Sequence, residues 1–160
     1  MQSVTVICVG KLKEAYWRDA AAEYCKRLGA FCKIAVTEID EERLPQNPSQ
    51  AQIDAGMEAE GKRILAKIPQ GSYVIAMCIE GRQQSSEELA QMLQDAANMG
   101  KSSVVFIIGG SFGLSPAVKA AADRKLSMSK MTFPHQLARI MLLEQTYRGY
   151  QILSGGKYHK

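Results

Sequence analysis

Val104-Val105-Phe106-Ile107-Ile108-Gly109-Gly110-Ser111-Phe112-Gly113-Leu114-Ser115-Pro116 decides the fold. Its first five residues are all apolar and all β-branched or aromatic. A strand of that kind is buried on both faces, and such strands sit inside parallel sheets. The glycines stop the strand. Ser115-Pro116 then opens a short helix, with proline in the first turn, where its missing N–H costs nothing. Strand, glycine turn and helix in that order form one repeating unit of an α/β sheet.

The same alternation extends outward in both directions. Towards the N-terminus, strands are predicted over residues 4–9, 31–39 and 73–79. They alternate with helices over 14–28, 51–68 and 85–98, the last opened by Ser85 and Glu88 at capping-box spacing. The stretch 40–50 is polar, holds Pro45 and Pro48, and reads as a loop. Towards the C-terminus, a short strand is predicted over 126–129 and a long helix from Pro134 to about Leu153. The whole is an α/β three-layer sandwich on a mostly parallel sheet, one domain spanning 1–160. In such sheets ligands gather beyond the carboxyl ends of the strands. Three stretches therefore carry the functional expectation: 80–82, 109–113 and 129–135.

Composition narrows the classes. An apolar fraction of 46% with 22% charged residues is that of an ordinary globular protein. No apolar run reaches the roughly 18–20 residues of a membrane span. The opening MQSVTVICVGKLKE lacks a basic segment followed by a long apolar one, so no signal peptide is expected. Cys8, Cys25, Cys32 and Cys78 form no C-x-x-C pair, and buried free thiols in the reducing cytoplasm are expected rather than metal ligands or disulfides. The net charge of +4 is uneven. Residues 1–80 hold 10 basic and 11 acidic side chains, residues 81–160 hold 10 and 5. A basic C-terminal half suits a polyanionic partner or a merely solvated surface.

Each motif has two readings. The glycines of 109–113 suit a backbone that touches a ligand or a tight turn. They match neither a dinucleotide fingerprint nor a phosphate loop. In Lys130-Met131-Thr132-Phe133-Pro134-His135, Thr132 is a possible helix cap and His135 a possible surface residue. The last helix carries Leu137, Ile140, Met141, Leu142, Leu143, Tyr147 and Tyr150, a face wider than a one-sided surface helix needs. It is either central in the domain or packed on a second subunit. Gly149 within it has no local reason. Glu144 and Arg148 stand at i,i+4 and can pair. The tail GGKYHK combines an aromatic ring with cations, a composition that stacks bases and grips phosphate, or it frays. With two histidines and no H-E-x-x-H, hydrolytic and metal chemistry have little support.

Together these segments resemble the ribosomal RNA large subunit methyltransferase H family of the SPOUT superfamily. The resemblance runs over the whole chain and is densest in VGKLKEAYW, CIEGRQQSSEELA, VVFIIGGSFGLS, LSMSKMTFPHQLARIMLLEQTYRGYQI and the terminal GGKYHK. It implies a C-terminal trefoil knot, which strand reading cannot foresee because knots are rare exceptions to connection rules. It implies S-adenosylmethionine (SAM) as cofactor, held by Met77, Gly109, Met128, Ser129, Lys130, Met131, Thr132 and Phe133. It implies methylation of N3 of a pseudouridine in the helix 69 loop of 23S ribosomal RNA, by a cytoplasmic homodimer acting on assembled ribosomes. His159 and Tyr158 are expected at or near the reacting base, with the tail completing a neighbouring subunit's site. Arg139, Arg148 and Lys157 are expected to contact RNA or the dimer partner. Met77, Arg82 and Gly149 stand where the family usually has Leu, Lys and Ala. A non-catalytic RNA-binding module, a different RNA acceptor and another Rossmann-like nucleotide enzyme are the competing readings.

Overall fold

The computed structural model describes residues 1–160. Strand and helix alternate: β1 (Ser3–Val9), α1 (Ala15–Leu28), β2 (Lys33–Ile39), α2 (Gln50–Ala66), β3 (Tyr73–Gln83), α3 (Ser86–Asn98), β4 (Ser103–Ile108), α4 (Pro116–Ala121), β5 (Arg124–Ser127) and α5 (His135–Leu153). All pairings are parallel, in the order β2-β1-β4-β3-β5. The apolar β4 sits at the centre, as its composition predicts. Alternate residues of each central strand feed opposite layers. Val104, Phe106 and Ile108 join Val4, Val6 and Cys8 beneath α1, α3 and α5. Val105 and Ile107 join Ile7 and Val9 under α2 and α4. No helix is long and apolar enough to cross a membrane.

Helix starts follow the side chains that can satisfy the free N–H groups. Ser49 accepts from Gln52 N, and the Gln52 side chain accepts from Ser49 N, so α2 has a complete capping box. Ser115 caps α4. Ser85 caps α3 through Glu88 N at 3.0 Å, but only that half of the predicted box forms. Thr132 does not cap α5; Pro134 occupies that place, without a side-chain bond. Two further differences lie at β3 and β5. β5 starts at Arg124, two residues before the prediction, because the backbone and carboxylate of Asp123 both bond the backbone of Val74 and start the ladder there. Tertiary pairing outweighs the poor strand preference of Arg124-Lys125 on this edge strand. Met128 and Ser129 are thereby released into the following loop.

β3 runs on to Gln83, past the predicted end at 79. Leu126 partners Met77 on one side of a register shift and Arg82 on the other. The intervening chain bulges over β5 and returns. Gly81 makes this possible: a Cβ there would lie 2.6–2.8 Å from backbone atoms of Leu126 and Lys125.

Candidate functional site

A cavity of about 730 Å³ opens beyond the carboxyl ends of β3, β4 and β5, within the size range of small-ligand sites. β3 supplies Met77 and Cys78. The β4–α4 turn supplies Gly109 to Gly113. The β5–α5 loop supplies Met128, Ser129, Met131, Thr132 and Phe133. Of the eight residues expected to hold a cofactor, seven line this one space. Lys130 is the exception; it is exposed and lies outside the wall.

The walls are set by local bonds. Ser127 Oγ donates to Ser129 O at 3.1 Å, and Ser129 Oγ accepts from Met131 N at 3.0 Å, which folds the β5–α5 loop inward. In the glycine turn, Gly113 N donates to Gly110 O at 3.1 Å, with Gly113 at φ +87°. That left-handed conformation favours glycine. A Cβ on Gly109 would meet the Gly113 backbone at 2.8 Å, so only glycine leaves this cradle open. The surface is mostly apolar with backbone groups between, which suits a largely apolar small ligand read by main-chain contacts.

Several lining residues stand outside the set expected to hold the cofactor. Lys119 comes from α4 and pairs with Glu80 at 2.5 Å on the rim. The ammonium bonded to Glu80 holds that carboxyl below its usual range. Lys119 lies outside the three strand-end stretches, so strand-end reasoning misses it. Cys78 also faces the cavity, its thiol pushed up by desolvation. His135 and Ala138, in the first turns of α5, close the far wall. A smaller hollow of about 300 Å³ lies behind the glycine turn, between Glu41, Glu42, Glu60 and Met57, and shares Ser111 and Phe112 with the main cavity. Glu60 is 8% exposed and accepts from Glu42 N at 2.9 Å. Burial raises its carboxyl pKa.

The remaining expected residues lie elsewhere. His159 bridges Arg148 Nη1 (3.1 Å) and Glu87 (2.6 Å). Tyr158 packs edge-on to Tyr147, donates to Glu144 at 3.1 Å and lies under the Arg148 guanidinium. The last α5 residue on the cavity is Ala138; Glu144, which Tyr158 bonds, lies six residues on, roughly 9 Å at 1.5 Å per residue, and Arg148, which His159 bonds, ten residues on, roughly 15 Å. Within one chain no residue of the tail lines the cavity. Arg148 is paired with Glu144 at 2.6 Å, and Lys157 is exposed. Arg139 differs from the expectation of an outward contact. It is 2% exposed, bonds Glu38 at 2.6 Å and Gly10 O at 3.1 Å, and its charge is consumed inside the chain.

Comparison with known proteins agrees with this architecture. A family model described as "Predicted SPOUT methyltransferase" matches residues 2–159. The chain is 49% identical over 158 residues to a protein of Ligilactobacillus salivarius named ribosomal RNA large subunit methyltransferase H, covering 99% of each chain. A protein of the same name from Clostridioides difficile is also 49% identical over 158 residues, with 99% of each covered. Among solved structures, a putative methylase family protein from Neisseria gonorrhoeae superposes with a TM-score of 0.53 at 16% identity. That match covers 91% of this chain and 82% of the other, and it speaks for the fold alone. The chain belongs to the SPOUT methyltransferases and, within them, to the ribosomal RNA large subunit methyltransferase H family.

Proposed function

We propose that this methyltransferase takes SAM into the cavity beyond β3, β4 and β5 and methylates N3 of a pseudouridine in the helix 69 loop of 23S ribosomal RNA. The observation that carries the reading is the convergence of Met77, Gly109 and the loop from Met128 to Phe133 on one cavity of suitable size. The relatives' names support ribosomal RNA as the acceptor. The competing reading as a dinucleotide or phosphate-loop enzyme has no matching motif at the glycine turn.

SAM, when bound, supplies a methyl group already activated on a sulfonium. What remains for the chain is alignment and the loss of one proton. Fixing the reacting atoms in line supplies roughly 7–11 kcal/mol in well-oriented systems. The side-chain-free backbone at Gly109 and the hydrogen-bonded loop around Ser129 are the positioning elements. Met77 and Phe133 keep water from the wall. The N3–H proton leaves to a nearby base or to bulk water; His159 of a second copy of this chain, whose tail completes the site, stands at or near the reacting base with Tyr158 beside it. A second copy is supported by the absence of the tail from the cavity wall within one chain, where Glu144, Arg148 and Glu87 hold Tyr158 and His159. A homodimer is further supported by Leu137, Ile140 and Met141 on α5, which remain only half-buried although α5 already packs on α1 and α3. The overlap of β3 with β5 around Leu126 is where the trefoil threading belongs in this account. The enzyme acts in the cytoplasm on assembled ribosomes.

Mass spectrometry of ribosomal RNA nucleosides, with the gene present and deleted, tests the proposal. Loss of N3-methylpseudouridine on deletion is expected. Loss of a different methylated nucleoside would reassign the acceptor, and an unchanged spectrum would remove the function.

A further inference from the structure

The corner of the glycine turn carries a residue the fold does not explain. Gly110 and Gly113 close the turn, which leaves Ser111 and Phe112 at its tip. Turn corners ordinarily take glycine, asparagine, aspartate, serine or proline. Here a phenylalanine stands 52% exposed. It belongs to neither core cluster and pairs with no other ring. It lines both the main cavity and the hollow behind it, so the residue stands at the boundary between them. Ile79, 69% exposed, and Met131, 76% exposed, line the same cavity from β3 and the β5–α5 loop. The mouth of a methyltransferase pocket is thus edged by large apolar side chains that gain little from folding.

We infer that Phe112 is the stacking platform for the acceptor base, a substrate contact that orients the base over the methyl donor. The inference rests on the function proposed above. Stacking uses the face of a nucleobase and leaves its edge free, and N3 lies on that edge. A base lying on Phe112 therefore keeps its nucleophilic nitrogen in the ring plane, able to point into the cavity. Position favours the acceptor over the donor's adenine. The ring is half in solvent at the mouth, where RNA arrives, whereas the cradle at Gly109 lies within. Every base has a π-face, so the platform contributes affinity and orientation. Edge contacts elsewhere select the base.

The test compares Phe112→Ala, Phe112→Leu and Phe112→Trp in the full-length enzyme. SAM affinity is read by calorimetry, and methyl transfer is read on ribosomes that carry the unmethylated pseudouridine. Base–aromatic stacking is worth about 1–3 kcal/mol by alanine substitution, which corresponds to roughly 5–150-fold. Phe112→Ala is expected to raise KM for ribosomes, or lower kcat/KM, by a factor in that range, with SAM affinity within about twofold of wild type. Phe112→Trp should restore transfer, and Phe112→Leu, apolar but without a π-face, should not. Unchanged transfer by Phe112→Ala would overturn the inference. So would a parallel fall in SAM affinity, which would make Phe112 a donor wall, or loss of the dimer in sedimentation, which would make it an interface residue. A wild-type enzyme that binds SAM but is inert on ribosomes would overturn the function itself and the platform with it.

Discussion

Single residues set the shape of the pocket, and glycine does so by what it omits. At Gly81 an added Cβ would press on the backbone of Leu126 and Lys125, which cannot swing aside as a side-chain end can. Gly81→Ala is therefore expected to lower stability by about 1–3 kcal/mol or to shift β5, read as a fall in the urea midpoint. Gly149 shows the opposite case. Its close neighbour is the tip of Leu93 at 3.2 Å, with the Ala90 backbone behind it. It marks the close approach of α3 to α5, a reason that sequence could not supply because Leu93 and Ala90 lie far earlier in the chain, on another helix. Glu60 gives a pH-dependent expectation. Its folded carboxyl is raised above the ordinary value of 4.5 mainly by desolvation, with Glu41 and Glu42 adding to this and Arg63 and the Glu42 N–H opposing it. A raised acid favours the folded state when protonated, and that contribution is lost as pH rises through the folded value. Glu60→Gln keeps an acceptor for Glu42 N and removes the charge. Its melting temperature should match wild type well below pH 4.5 and exceed it increasingly above. A constant difference at all pH values would contradict this.

At the scale of elements, the buried Arg139 ties α5 to the ends of two strands. Its guanidinium holds Glu38, one residue before the end of β2, and the carbonyl of Gly10 just after β1. Removing it strands an acceptor and a partly buried carboxylate. Arg139→Ala is expected to cost roughly 3 kcal/mol in chemical unfolding. That is the lower end for a broken buried pair, because Glu38 keeps 33% of its side-chain surface in water. Glu38→Gln, which can still accept, should cost less. Sequence alone suggested an outward cation here, since nothing in the apolar periodicity of α5 reveals that Glu38, about a hundred residues earlier, lies opposite. The strands and helices themselves were legible, because apolar period and capping chemistry are local. Their ends at β3 and β5 were not, because the overlap at Leu126 and the Asp123–Val74 bonds are long-range pairings. The cavity stretches were legible for a related reason: in a parallel sheet every ligand-side loop follows a strand. Lys119 escaped because it reaches the rim from within a helix.

For the whole molecule, one chain forms the cavity without its tail, which Glu144, Arg148 and Glu87 hold elsewhere. In the proposed function a second copy of the chain brings its tail to this cavity. Truncation after Gly156 removes Tyr158 and His159 and leaves every cavity residue in place. SAM affinity is expected to stay within about twofold, the fold to lose at least about 0.5–1.5 kcal/mol from the Tyr147 contact, with the Tyr158–Glu144 and His159–Glu87 bonds adding to it, and methyl transfer to be lost. Mixing the truncated chain with a cavity-defective full-length chain should restore part of the transfer through mixed dimers. Full transfer by the truncated enzyme alone would take the tail out of the chemistry. The central claim concerns the pocket itself. A crystal structure of the protein with SAM tests it most directly. The adenosyl group should lie between Met77, Gly109 and the loop from Met128 to Phe133, with the methyl facing the mouth beside Phe112. The same ligand ordered at another place, with that cavity empty, would contradict the account.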